Sequence, residues 1–218
     1  MNVREVAGMF RRLTGENDQT FLGDTDVTLI LQQAYAEFRD IVMSVDPLTY
    51  MTSVDITLSA QDSYSLSAGA VSILGATPTD PRMQSLISVF VLNGTELGSR
   101  LAEGHNMRDI KEGEAQYLLA GDTLYFDGPR SQTLRLFYVP APSSTLWDTP
   151  ATSTAYIDDL GEYHGLIALL AFNHYAVEDG AGSSHQQELQ KRTEARLRRH
   201  LENRSGMGNF TVEDTSGY

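Results

Sequence analysis

Cysteine is absent from this 218-residue chain, which excludes a disulfide framework and any thiolate metal site. Long apolar runs are absent too. The longest, Leu166 to Phe172, falls far short of the roughly 20 residues a membrane helix needs. Positive charge is scarce: 16 Lys and Arg face 29 Asp and Glu, a formal net charge of −13. Such a surface repels nucleic acid and anionic membranes on average, although a local basic patch can act differently. The five histidines, at 105, 164, 174, 185 and 200, form no ligand-like cluster, and His164 and His174 read as core-edge or surface side chains. No Gly-x-Ser-x-Gly, His-Glu-x-x-His, P-loop or paired-carboxylate pattern is present, so no catalytic residue, metal or cofactor is expected. Met1 leads directly into Arg4 and Glu5, so no secretion signal is expected and the chain reads as soluble and made in the cytoplasm.

What is present is an ordinary folded composition, 41% hydrophobic and 21% charged, whose hydrophobic period changes twice. Up to about Val45 apolar side chains recur at helical spacing; from Val54 to Val139 they alternate; from Leu160 the helical spacing returns. The expected class is α+β: a helical bundle frame from residues 1–48 and 155–204, an inserted antiparallel β-sandwich or barrel with its connection over 49–154, and an extended tail over 205–218.

Val3, Val6, Phe10 and Leu13 mark a first helix that Gly15 ends. A second opens at Asp24 or Thr25, either able to cap it, and carries Val27, Ile30, Leu31, Ala34, Tyr35, Phe38, Ile41 and Val42 until Pro47 stops it. In the β region, Val54, Ile56 and Leu58 alternate with polar residues. Gln61-Asp62 reads as a turn before Tyr64 and Leu66, and Leu86 to Leu92 runs to a turn at Asn93-Gly94. Tyr117–Leu119 and Leu124–Phe126 flank Gly121-Asp122 as a hairpin, Gly128-Pro129 reads as a break, and Leu134, Leu136 and Tyr138 form a last strand. About six strands are expected, with Glu103 to Glu114 as a loop holding at most one helical turn. Tyr50, Tyr64, Tyr117, Tyr125 and Tyr138 could stack on sugars, but tyrosine is common on pleated faces and packing is the stronger reading.

After Pro140-Ala141-Pro142 and the only tryptophan, Trp147, a third long helix is expected near Asp158-Asp159, apolar nearly all round and buried at the centre of the frame. Gly180-Ala181-Gly182 ends it. Ser184 and Gln187 suggest a capping box for a last helix. There Leu189, Leu197 and Leu201 form a narrow apolar stripe, with Lys191, Arg192, Arg196, Arg198 and Arg199 on the other side. With Arg204, six of the 16 basic residues fall between positions 191 and 204. A solvated face is the usual meaning of such a run. Against a charge of −13, contact of Arg192, Arg196 and Arg199 with an acidic partner surface is favoured, ahead of a DNA-facing role. The tail offers only Met207, Phe210, Val212 and Tyr218 as apolar anchors, too few to fold alone.

The order of these segments resembles a known family. It comprises an N-terminal helix pair, a β insertion, the Tyr-Leu-(x)-(x)-Gly-Asp-Thr-Leu-Tyr-Phe-Asp-Gly-Pro hairpin from Tyr117, the Leu-Arg-Leu-Phe-Tyr-Val-Pro strand from Leu134, an apolar helix opened by Asp-Asp-Leu, and a basic helix. This layout, over most of residues 1–204, is similar to that of the head-to-tail adaptor (head-completion) proteins of tailed bacteriophages, the group that includes the tail tubular A proteins of short-tailed phages. The resemblance implies a non-enzymatic virion protein at the neck of the particle, a ring usually of about twelve copies set between portal protein and tail or nozzle protein. Double-stranded DNA passes through the centre without sequence-specific binding, and no membrane is involved. It also implies that the tail, through Phe210, Val212 and Tyr218, docks on the portal. The alternative function is a tail-associated receptor- or carbohydrate-binding β module.

Overall fold

The computed structural model describes residues 1–15, 22–66, 83–143, 145–179 and 184–207. Among them are five helices: α1 (Val3–Thr14), α2 (Asp24–Val45), α3 (Met107–Lys111), α4 (Gly165–Asp179) and α5 (Ser184–Met207). Seven strands accompany them: β1 (Thr52–Thr57), β2 (Gln61–Ser65), β3 (Met83–Asn93), β4 (Glu96–Arg100), β5 (Tyr117–Ala120), β6 (Thr123–Arg130) and β7 (Thr133–Pro140). The class is α+β. The chain divides into a helical unit, Met1–Thr49 with Ser144–Tyr218, and a β unit, Tyr50–Ser143.

In the helical unit, α4 is the centre. Every residue from Leu166 to Phe172 is buried, and α1, α2 and α5 all pack on this helix. Asn2 and Glu5 cap α1 reciprocally, each side-chain oxygen accepting the other's backbone N–H at 2.9 Å, and Gly15 ends it at φ 78°, a conformation glycine adopts without steric cost. Gly23, not Asp24 or Thr25, caps α2. Asp24 is instead the first helical residue, where its carboxylate accepts from Arg11 Nη2 at 2.7 Å. Pro47 follows the end of α2 as expected and opens a short 3-10 turn.

The connection after Pro142 belongs with the helices. Trp147 is fully buried, meets Tyr35 edge-on at 5.8 Å, and its carbonyl accepts from Thr28 at 2.9 Å. The carbonyls of Ser153 and Ala155 accept from the N–H groups of Arg4 and Val3, at 2.9 and 3.2 Å. The acidic pair expected to open the next helix does not: α4 begins at Gly165, after a 3-10 turn over Gly161–Tyr163. Asp158 is turned to other donors, the Leu160 N–H and His164, and Asp159 accepts from the Tyr156 hydroxyl. The last helix, α5, runs three residues into the segment read as tail, ending at Met207. The glycines at 180 and 182 lie outside the described residues.

The β unit holds two antiparallel sheets, β1-β7-β3-β4 and β2-β6-β5. They share one core: Ile56, Val89, Leu134 and Leu136 from the first, Tyr64, Tyr117, Leu124 and Phe126 from the second. That is a sandwich rather than a closed barrel. The hairpin at Gly121-Asp122 forms as expected, with Leu119 opposite Leu124. Two turns differ. Gln61 and Asp62 already belong to β2, because the chain reverses earlier, at Ala60 with φ 53°. Gly128 and Pro129 do not end β6. Gln61 pairs with Arg130 and Ser63 with Tyr125, so residues 126–129 bulge opposite Asp62, where proline's missing donor is tolerated. A strand the alternation did not reveal is β4, exposed along most of its length.

Candidate interaction surface

α5 owes its placement to two residues. Leu197 and Leu201 are fully buried. Arg192, Arg196 and Arg199 sit at i, i+4 and i+7, one stripe about 10 Å long, and the 100° step per residue turns it well away from the two leucines. All three arginines are exposed. Leu189, expected on the apolar stripe, is 41% exposed instead. It lies about 80° or more around the helix from Leu197 and Leu201, nearer the arginines than the core.

The charges on α5 are unevenly neutralised. Arg192 pairs with Glu188 at 2.9 Å, both side chains being mostly exposed. Arg198 pairs with Glu194 at 2.9 Å and donates to Ser44 of α2 at 3.1 Å. Such exposed i,i+4 pairs are worth about 0.3–0.5 kcal/mol and exchange readily for a better partner. Arg196 makes no ion pair among the described residues, and Arg199 donates only to the Ala195 carbonyl at 3.3 Å. Two guanidiniums with free forks, and a third only loosely held, can take carboxylates or phosphates in two-pronged fashion.

A second polar constellation escaped the sequence reading. His164, expected at the core edge or surface, is fully buried. Its Nδ1 lies 3.0 Å from the Met1 carbonyl and its Nε2 2.6 Å from Asp158 Oδ1. The Met1 carbonyl can only accept, so the Nδ1 side of the ring donates there while Nε2 faces the Asp158 carboxylate. Phe38 packs edge-on against the ring at 6.1 Å. Beside it the buried Arg39 lies over the Tyr35 ring at 5.9 Å. Burial, then the Asp158 charge, push the Tyr35 phenol up, opposed by its hydrogen bond to Arg39. The cluster is largely buried, with Asp158 at its partly exposed edge, and joins α2, the segment before α4 and the chain start, which makes it an internal brace. The hydrophobic residues around His164 hid it, since a polar partner six residues away leaves no periodic trace.

The remaining expected sites fall out as follows. Tyr64 and Tyr117 are buried, and Tyr50, Tyr125 and Tyr138 are half-buried, so no exposed platform of the five tyrosines exists. His174 Nε2 lies 3.1 Å from Glu37 Oε2 on the surface, where the carboxylate can accept its N–H. An open groove of about 870 Å³ runs along α1 past Arg4, Gly8, Arg11 and Arg12. Among the described residues no cluster of three or more His, Asp or Glu has metal-binding geometry, and no helix is long and apolar enough to cross a membrane. Phe210, Val212 and Tyr218 lie outside the described residues. No protein-family model matches the chain, and no curated protein matches it significantly.

Proposed function

We propose that this protein is a structural component of a virion, a head-to-tail adaptor that forms a ring between portal and tail and lets the genome pass. The observation that carries the reading is the arginine stripe of α5. Among the described residues Arg196 and Arg199 make no ion pair, in a chain of charge −13, on a helix locked from the opposite side by Leu197 and Leu201. A solvated face gains nothing from such segregation; a docking face for carboxylates does. The layout supports it as well, because two segments far apart in sequence build one helical unit and the sandwich is inserted between them in the chain, the order of the adaptor family. An acidic surface around the channel would keep DNA sliding rather than bound.

In this reading the portal protein and a tail or nozzle protein are the partners, and residues Phe210, Val212 and Tyr218 of the tail dock on the portal. A carbohydrate-binding β module has less support, since of the tyrosines that would form its platform two are buried and three half-buried. Co-sedimentation with the portal complex encoded in the same genome tests the proposal. The wild-type chain should co-sediment, and the triple variant Arg192→Glu, Arg196→Glu, Arg199→Glu should bind far less while keeping its helical signal. A wild-type chain that never associates with portal complex would contradict it.

A further inference from the structure

The acidic counterpart of the α5 stripe is carried by the chain itself. On α2 the exposed positions Asp26, Leu29, Gln33, Glu37 and Asp40 fall within about 80° of one another around the helix. They lie opposite the buried Leu31, Phe38 and Val42. This stripe has three carboxylates and no cation, because the only basic residue of α2, Arg39, is buried. Its one apolar member, Leu29, is 54% exposed, as Leu189 is 41% exposed on α5.

The two stripes also match in spacing. Gln33, Glu37 and Asp40 step by four and then three residues, as do Arg192, Arg196 and Arg199. Laid side by side in the same direction, two such helices set Arg196 level with Glu37, Arg199 with Asp40 and Arg192 with Gln33, and leave Leu189 one residue, about 1.5 Å, out of level with Leu29. Glu37 already meets His174 at 3.1 Å through one carboxylate oxygen, which leaves the other for an arginine.

Within one chain, among the described residues, no hydrogen bond or ion pair joins the two stripes. The α5 residue that does reach α2 is Arg198, through Ser44. We infer that the arginine stripe of α5 on one copy docks on the acidic stripe of α2 on the next copy. The inference rests on the ring reading above and gives that ring its lateral contact. Two different surfaces joined this way make a head-to-tail contact, which propagates from copy to copy and ends only by closing. A single helix pair buries less than the roughly 1,000 Å² expected of a stable interface, so the contact is weak until many copies are held together.

Covalent trapping suits a weak contact, and the absence of cysteine means that any disulfide reports the introduced pair. Leu29→Cys and Leu189→Cys chains, mixed and oxidised, should form mixed dimers on the order of tenfold faster than Leu97→Cys with Leu189→Cys, and added salt should reduce the excess. Leu97, 49% exposed on β4, serves as the collision control. Arg196→Glu with Arg199→Glu in the Leu189→Cys chain should abolish the excess, and Glu37→Arg with Asp40→Arg in the Leu29→Cys chain should restore it. Equal trapping with the control, or no response to the charge swap, overturns the inference. Portal co-sedimentation separates the two claims. Binding without trapping leaves the adaptor reading and removes this contact; trapping without binding leaves this contact and removes the adaptor reading.

Discussion

His164 Nε2 and Asp158 Oδ1 lie 2.6 Å apart where the buried ring also meets the Met1 carbonyl. The pair therefore ties the segment before α4 to the start of the chain. Removing one partner takes from the other its closest polar contact in a part-buried site, at a cost of about 3 kcal/mol. Asp158→Ala and His164→Leu should each destabilise the helical unit by that order. Denaturant unfolding followed by the fluorescence of Trp147, buried in the same unit, measures it. A change of only a few tenths of a kcal/mol would make the contact incidental.

Tyr117 supplies a pH dependence in the β unit. Burial, then the charge of Glu103 and the hydrogen bond its carboxylate accepts, push the phenol far above its usual value of 10.0. With the folded value raised, stability is fully present below about pH 10 and falls as pH rises beyond it, because the unfolded chain loses this proton first. Hydrogen exchange of β6 amides between about pH 9 and about pH 11 should show the loss, after correction for the intrinsic exchange rate. Tyr117→Phe should flatten it. Some slope remains, since burial also raises Tyr138. An unchanged slope in the variant would mean that Tyr117 is not the source.

The tail gives a third prediction. Deleting residues 208–218 leaves α5 whole and removes Phe210, Val212 and Tyr218. On the adaptor reading these three residues are anchors on the portal rather than part of the chain's own core. The deletion should leave the thermal midpoint of the helical unit nearly unchanged and cut portal binding sharply. Full binding by the truncated chain would assign docking to the helices alone.

What was legible in the sequence was periodic. The α2 series from Val27 to Val42, the all-round apolar run of α4 and the Gly121-Asp122 hairpin each leave a repeating or positional mark, and each stands in the structure. What failed depended on a distant partner. Pro129 reads as a break because proline lacks a donor, yet the bulge opposite Asp62 asks for none. Asp158 reads as a helix opener, yet His164 claims it. Leu189 reads as core because it is leucine, although its angle sets it beside the arginines. The arginine stripe itself was legible from spacing alone, and the structure adds which of its members have no carboxylate partner among the described residues: Arg196 and Arg199.

Ring formation on a portal is tested most directly by mass. Light scattering of the free protein at micromolar concentration should give the mass of one chain, because no stripe on the helical unit buries enough area alone to hold a stable oligomer. Mixed with portal complex from the same genome, the chain should raise the mass of that complex by close to twelve copies, the number the adaptor resemblance implies. A portal complex whose mass does not change in the presence of excess protein would contradict the adaptor reading.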